Sequence, residues 1–415
     1  MGRHLDWETI FREIVGGRFE RQTLEQLFEH IVGHCEGCRA SLEAFLEHRP
    51  GAEYSALFLR LLPRLEEDRS HFLALREDLE RDLASLLSVG PEERSRRIRR
   101  SHSRLKNPLL VDGLLAESRR AVLQDPAVSS DLARTAEEIA LALPYEPYGS
   151  AWVTTCLARA RAYRGNALRA QEELAEAEHL IDLARESFFA QGTGDPMVAA
   201  EILGFVASLR KDQHRLDEAR LAAEEAVELC RPLGEVEEMC RMLVKVSVIY
   251  CDLGCHAEGL AAIEEAMIFL SWEEEPVLFL SALHNRGRCL IALGRLREAR
   301  DLLEQSLVFY ERLGLPFFTV RLRWLLGILA QGQGRAEEAE SLLGGVRRTF
   351  LDDHLMLDAA LAGLDLAQVL AKLRKANELR SLTDQIVPVL EASGRRLEAE
   401  KARHLLFGDG LDSIH

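Results

Sequence analysis

The residues best equipped for chemistry in this 415-residue chain lie near its start, in Glu29-His30-Ile31-Val32-Gly33-His34-Cys35-Glu36-Gly37-Cys38. A Cys-x-x-Cys turn lets two thiolates converge on one metal ion, and a His about one helical turn upstream brings a third ligand to the same point. His4, ahead of a helical stretch from Trp7 to Val15, supplies a fourth. His4, His30, Cys35 and Cys38 would form a closed site of two nitrogen and two sulfur ligands. That is the donor set of structural zinc, because catalytic zinc keeps an open position. His30 is favoured over His34, which is adjacent to Cys35 and points elsewhere. Two other readings stay open: a redox dithiol, which needs a strand–turn–helix context missing here, and a pair of inert buried thiols.

Other chemical signatures are missing. The sequence has no Walker loop, no Gly-x-Gly-x-x-Gly after a strand, no His-Glu-x-x-His and no Gly-x-Ser-x-Gly. Its many carboxylates fall at helical surface spacing, so no acid–base pair stands out. The chain therefore reads as a binding protein and not as an enzyme.

The elements that must position any site are helices. Hydrophobic residues make up 47% and Pro numbers only 12, so a helical core is affordable and strand signals are almost lacking. Internal periodicity is the strongest signal. Gly294-Arg295-Leu296-Arg297-Glu298-Ala299 returns 40 residues later as Gly334-Arg335-Ala336-Glu337-Glu338-Ala339. It appears 40 earlier as Gly254-Cys255-His256-Ala257-Glu258-Gly259, and 40 before that as His214-Arg215-Leu216-Asp217-Glu218-Ala219. A worn copy is Arg374-Lys375-Ala376-Asn377-Glu378-Leu379. An earlier one, Gly165-Asn166-Ala167-Leu168-Arg169-Ala170, precedes Ala219 by 49, with the extra residues assigned to a longer loop around Gly192–Pro196. Twelve residues before the end of each hexapeptide stands a small residue: Ala158, Ala207, Ser247, Gly287, Gly327 and Ala367. A small side chain there lets two antiparallel helices approach closely. Leu174, Ile263, Leu303 and Leu343 follow four residues after the hexapeptide, on one helical face.

A small residue in the first helix, Gly at the turn and Ala early in the second helix resemble the tetratricopeptide repeat, over roughly residues 150–390. The period of 40 exceeds that family's usual 34, as two longer helices per repeat would require. The resemblance implies a right-handed superhelical solenoid of helix–turn–helix repeats in which the first helix of each repeat lines the inner surface. On that surface the residues flanking Ser247, Gly287 and Gly327 include Arg241, Lys245, His284, Asn285, Arg288, Arg321, Trp324 and Gln331. Arg and Lys there would hold carboxylates, Asn a peptide backbone, and Trp324 an apolar anchor, which points to an acidic protein or peptide partner. The equally weighted alternative is that these bases pair with Glu and Asp on adjacent helices. A degenerate unit is expected before the array, with helices near Pro108–Leu123 and Ser129–Leu143, and a capping helix after it, Arg396–Leu406.

The N-terminal segment, about residues 1–48, resembles the zinc-binding anti-sigma domain, in which an upstream His or Cys precedes a helix carrying His-x3-Cys-x2-Cys. Here the spacing is His30-x4-Cys35-x2-Cys38, one residue longer. The resemblance implies a sigma factor as one partner.

The predicted organisation is all-α: a small zinc-binding helical domain (1–48), a helical connector (49–106), the repeat array with its cap (107–407) and a tail (408–415). In the connector, residues 52–88 read as helix, kinked or split at Pro63. Seven of the thirteen residues from Arg94 to Lys106 are Arg or Lys. That run has no interleaved aromatic for base stacking, so pairing with Asp78, Glu80, Asp82, Glu92 and Glu93 is favoured over nucleic acid or the acidic array. Residues 1–106 hold 18 Lys and Arg against 19 Asp and Glu, whereas 107–415 hold 34 against 49. The chain's net charge of −16 disfavours nucleic acid in general. The start lacks an apolar signal core, no apolar run is long enough for a bilayer, and eight Cys are ordinary for a reducing compartment. The expected location is the cytoplasm.

Overall fold

The computed structural model describes residues 78–407, apart from 102, 103, 234 and 315. His4, His30, His34, Cys35, Cys38 and Pro63, and the tail 408–415, lie outside the described residues. The described residues form helices and turns, with no strand among them. They fall into two compact units that divide between Asp195 and Pro196, within the longer loop around Gly192–Pro196.

The first unit has helical backbone at 78–87, then α1 (Pro91–Arg100), α2 (Pro108–Ala121), α3 (Pro126–Leu141), a single turn at Tyr145–Tyr148, α4 (Ser150–Ala170) and α5 (Leu174–Gln191). Pro at the first helical position starts α1, α2 and α3, where its missing N–H costs nothing. Asn107 caps α2 by accepting from the Leu110 amide at 2.9 Å, and Asp125 caps α3 by accepting from Ala127 and Val128. The predicted degenerate repeat is the α2–α3 pair. It is locked by Ser118 and Ser129, whose hydroxyls each donate at 2.9 Å to the other's carbonyl in a buried setting.

The basic run resolves largely into internal pairing. Arg104 Nη2 and Nε meet the buried Asp82 carboxylate at 2.5 and 3.0 Å, Arg96 and Arg97 reach Glu93, and Arg97 also donates to the Ser85 carbonyl. Arg94 is buried and donates to the Leu86 carbonyl at 3.0 Å. Arg99 and Arg100 face solvent.

The second unit runs α6 (Pro196–Asp212), α7 (Leu216–Cys230), α8 (Val236–Asp252), α9 (His256–Met267), α10 (Pro276–Ala292), α11 (Leu296–Leu313), α12 (Pro316–Gly332), α13 (Ala336–Asp352), α14 (Met356–Lys372), α15 (Ala376–Ala392) and α16 (Arg396–Phe407). The repeated hexapeptide builds the turn. Its first residue takes a left-handed conformation at His214, Gly254, Gly294, Gly334 and Arg374. The next amide then bonds back to the carbonyl five residues earlier, as from Arg295 to Leu290 at 2.9 Å and Arg335 to Ala330 at 2.9 Å, closing the helix in a Schellman turn. That same Arg reaches the Glu three residues on (Arg215 to Glu218, Arg295 to Glu298, Arg335 to Glu338), and this Glu also favours the positive end of the helix dipole. The Ala that ends the hexapeptide is fully buried at 219, 299 and 339.

The first copy sits in a different register from the one the hexapeptide pattern suggests. Gly165 to Ala170 lie inside α4, not at a turn. The turn is Gln171-Glu172-Glu173, with Glu172 at φ 67 and the Glu173 amide bonded to the Leu168 carbonyl. The buried Ala of that turn is Ala177, and the small residue of the first helix is Gly165, whose added Cβ would stand 2.6 Å from Ile181 Cγ1. Ile181, not Leu174, therefore shares the face of Ile263, Leu303 and Leu343. Counted from Ala177 to Ala219 the step is 42, so most of the excess assigned to the 192–196 loop disappears. Two physical facts mislead the pattern: this glycine serves helix packing, and a glutamate occupies the left-handed position.

Within the second unit, consecutive helices pack in order, and each first helix (α6, α8, α10, α12, α14) also touches the first helix of the following repeat. Consecutive second helices stand farther apart. The first helices thus form the tighter, inner layer. Ala207, Ser247 and Ala367 are fully buried on them, and a Cβ on Gly287 would meet Leu303 at 3.0 Å.

Candidate functional site

Steps of 40, 80 or 120 residues bring the predicted binding residues to matched positions of the inner helices. Arg241 on α8 corresponds to Arg321 on α12, Lys245 to Asn285 on α10 and Asp365 on α14, His284 to Trp324, and Arg288 to Gln368. The structure therefore aligns these residues, and it also shows what each one touches.

Arg241 bonds Glu237 on its own helix, Glu238 at 3.4 Å and Glu275 at 3.2 Å. Lys245 Nζ donates to Ser208 Oγ at 2.8 Å and the Gly204 carbonyl at 3.1 Å, and lies 5.8 Å from the centre of the Phe205 ring. Arg288 donates to Asp252 at 2.5 Å, and Arg321 reaches Asp358 at 3.4 Å. Asn285 is buried and turns its amide back to the Ser281 carbonyl at 2.8 Å. Trp324 donates its indole N–H to Asp365 at 2.7 Å and packs edge-on against Phe350, so it is a half-buried member of the core and not a free anchor. Gln331 donates to Gln368 at 3.1 Å. The expected basic strip is in fact a ladder of pairs joining successive inner helices, the alternative that surface ion pairing anticipated.

The acids of that ladder, Asp252, Asp358 and Asp365, are invisible in a strip defined by its bases. The repeat step itself finds Asp365, which stands 80 residues from Asn285.

His284, on α10, is incompletely satisfied. His284 Nδ1 is buried and has no hydrogen-bond partner. Burial, then the charges of Arg321 and Arg288, hold this imidazole down to about 3, so it is neutral at physiological pH. Nearby, burial pushes Asp365 up to about 6, while the Trp324 hydrogen bond and the Arg288 charge pull it down. Among the described residues no cluster of three or more His, Cys, Asp or Glu could hold a metal ion. No described helix is long and apolar enough to cross a membrane.

A tetratricopeptide repeat family model matches residues 278–355, which span α10 to α13. No curated protein sequence matches the chain. Among solved structures, a Rap protein complexed with competence and sporulation factor is similar at 14% identity and a TM-score of 0.58, over 72% of this chain and 85% of that one. Aspartyl phosphate phosphatase F from Bacillus subtilis is similar at 14% identity and a TM-score of 0.49, over 100% of this chain and 99% of that one. A STAND protein with a tetratricopeptide repeat sensor from Pyrococcus horikoshii is similar at 15% identity and a TM-score of 0.47, over 75% of this chain and 46% of that one. The matched stretch identifies α10 to α13 as tetratricopeptide repeats, and the described helical pairs share the fold of the first of these structures.

Proposed function

We propose that the chain is a non-enzymatic cytoplasmic regulatory adaptor whose inner helices receive an acidic segment of a protein or peptide partner. The observation that carries this reading is the ladder on α8, α10, α12 and α14, with His284 Nδ1 left without a partner beside Arg288 and Arg321. An incoming carboxylate displaces Asp252 from Arg288 or Asp358 from Arg321, exchanging one charge-assisted pair for another. The His284 ring completes the site once the exchange uncovers its buried, unused nitrogen. A Rap protein of similar fold held in complex with a factor is consistent with such a surface.

The N-terminal segment adds a second docking element in this proposal. His4, His30, Cys35 and Cys38 would hold one structural zinc ion, their two nitrogens and two sulfurs matching a closed site. A sigma factor is the partner that the anti-sigma resemblance implies for it.

The test is panning of a random peptide library on the full-length protein. Enrichment of Asp- and Glu-bearing peptides is expected, with capture weakened about tenfold by Arg288→Gln combined with Arg321→Gln, the loss expected for one charge-assisted hydrogen bond. Neutral Gln suits the test because reversal to Glu would face Asp252 and Asp358. Peptides without acidic bias, or undiminished capture by the folded double variant, would overturn the proposal.

A further inference from the structure

Two cysteines on neighbouring inner helices face each other. Cys251 on α8 and Cys289 on α10 are both buried, and their Sγ atoms are 3.0 Å apart. The adjacent residues, Asp252 and Arg288, form the ion pair at 2.5 Å described above, so two successive residue pairs clamp α8 to α10 at one level. The sulfurs fill a niche under Gly259 of α9, where an added Cβ would come within 3.3 Å of Cys251 Sγ and 3.4 Å of Cys289 Sγ. Ser247 Oγ lies 3.8 Å from Cys289 Sγ. Since a disulfide bond is about 2.0 Å long, closure needs a displacement of about 1 Å, shared between two side chains.

We propose that Cys251 and Cys289 form a reversible disulfide that staples two consecutive repeats across the inner face. The surroundings divide the labour between them. The Cys251–Cys289 sulfur contact, aided by Ser247 and the Arg288 charge and opposed by burial, holds the Cys289 thiol below its usual range. The same contact, with burial, pushes Cys251 up. Burial pushes Cys156, Cys230 and Cys240 up to about 11, which leaves them far less thiolate.

The oxidant class is a hydroperoxide. The Cys289 thiolate attacks one peroxide oxygen, the O–O bond breaks, and the departing oxygen takes up a proton as water or alcohol. Cys289 is then a sulfenic acid. The Cys251 sulfur displaces its hydroxyl: the S–S bond forms, the S–O bond breaks, and the Cys251 proton leaves with the oxygen as water. The two thiols lose two electrons and two protons, and the peroxide is reduced. A small-molecule dithiol reverses the reaction by exchange. Because both sulfurs are buried, the peroxide reaches them through local opening between α8 and α10.

The test uses the full-length protein, oxidised with hydrogen peroxide, alkylated, and mapped by mass spectrometry without reduction. Peptide mapping, and not a total thiol count, is required because the chain has eight cysteines, Cys35 and Cys38 among them. The expected product is one cross-linked pair containing Cys251 and Cys289, dissolved by dithiothreitol, with a melting temperature raised on the order of 5 °C by the closed loop. In Cys289→Ser, Cys251 should remain alkylated. Peroxide-treated wild-type protein in which both residues stay alkylated, or in which Cys289 reaches sulfinic acid while Cys251 stays free, would overturn the proposal.

Discussion

Two glycines in one repeat should respond oppositely to the same substitution. Gly344, in α13, has nothing within 4 Å of the position an added Cβ would take; it borders a shallow hollow between α13 and α15 lined by Glu340, Arg347 and Gln385. Gly344→Ala therefore gains only the helix propensity of Ala, about 1 kcal/mol. Gly327, in α12, is different. A Cβ there would stand 2.8 Å from both Cγ and Cδ2 of Leu343, well inside the roughly 3.5 Å at which carbon contacts become favourable. Leu343 is fully buried and clusters with Ala330, Ala339 and Val369, so it has no space to yield. Overpacking of this kind costs about 1–3 kcal/mol, which outweighs the propensity gain and leaves Gly327→Ala destabilised by roughly 1 kcal/mol. The two variants are then about 2 kcal/mol apart. For a unit of this size that is a separation of about 4–8 °C in melting temperature, with wild type between them. Thermal unfolding followed by circular dichroism measures it. Equal stabilisation by both substitutions would refute the claim that Gly327 exists to admit Leu343.

Other outcomes follow from the same structure. Ser118→Ala should cost about 1–3 kcal/mol in denaturant unfolding, because it strips the buried Ser129 carbonyl of its hydroxyl donor. Arg374→Gly should stabilise the fold by about 0.5–1 kcal/mol through relief of a left-handed φ of 57, whereas Gly294→Ala, at φ 70, should cost about 1 kcal/mol in the same assay. The pH response should split between two residues. His284 is held below its unfolded value of 6.5, so the unfolded chain binds the extra proton and stability is lost as pH falls from 6.5 toward about 3. Asp365 is raised above 3.8 to about 6, so its contribution is present below 3.8 and lost as pH rises through 6. Melting curves between pH 4 and 6 should therefore depend less on acid in His284→Gln and more steeply in Asp365→Asn, each by at most about 1.4 kcal/mol per pH unit. Parallel changes in the two variants would contradict both assignments.

What the chain discloses about its fold depends on how local the physics is. The turns at Gly294 and Gly334 are readable because one short segment holds every requirement: a left-handed residue, an Arg–Glu pair across the turn and a buried Ala. When a glutamate takes the left-handed place, at Glu172, the same turn becomes invisible and the nearby Gly165 acts as a decoy. The repeat step also aligns the side chains of the inner face, since it is a property of the chain alone. It does not report their charge state, because that is decided between helices about 40 residues apart. Arg288 meets Asp252, Arg321 meets Asp358 and Trp324 meets Asp365 only once the repeats stack. A strip counted from its bases looks basic, and the same strip counted with its partners sets Arg241, Lys245, Arg288 and Arg321 against Glu237, Glu238, Asp252, Glu275, Asp358 and Asp365. Recognition on such a surface cannot depend on a standing excess of positive charge. It has to come from exchange of partners, and the exchange is most favourable where a polar group is already unsatisfied. His284 meets this condition: its Nδ1 lacks a partner and both neighbouring guanidiniums are within electrostatic reach.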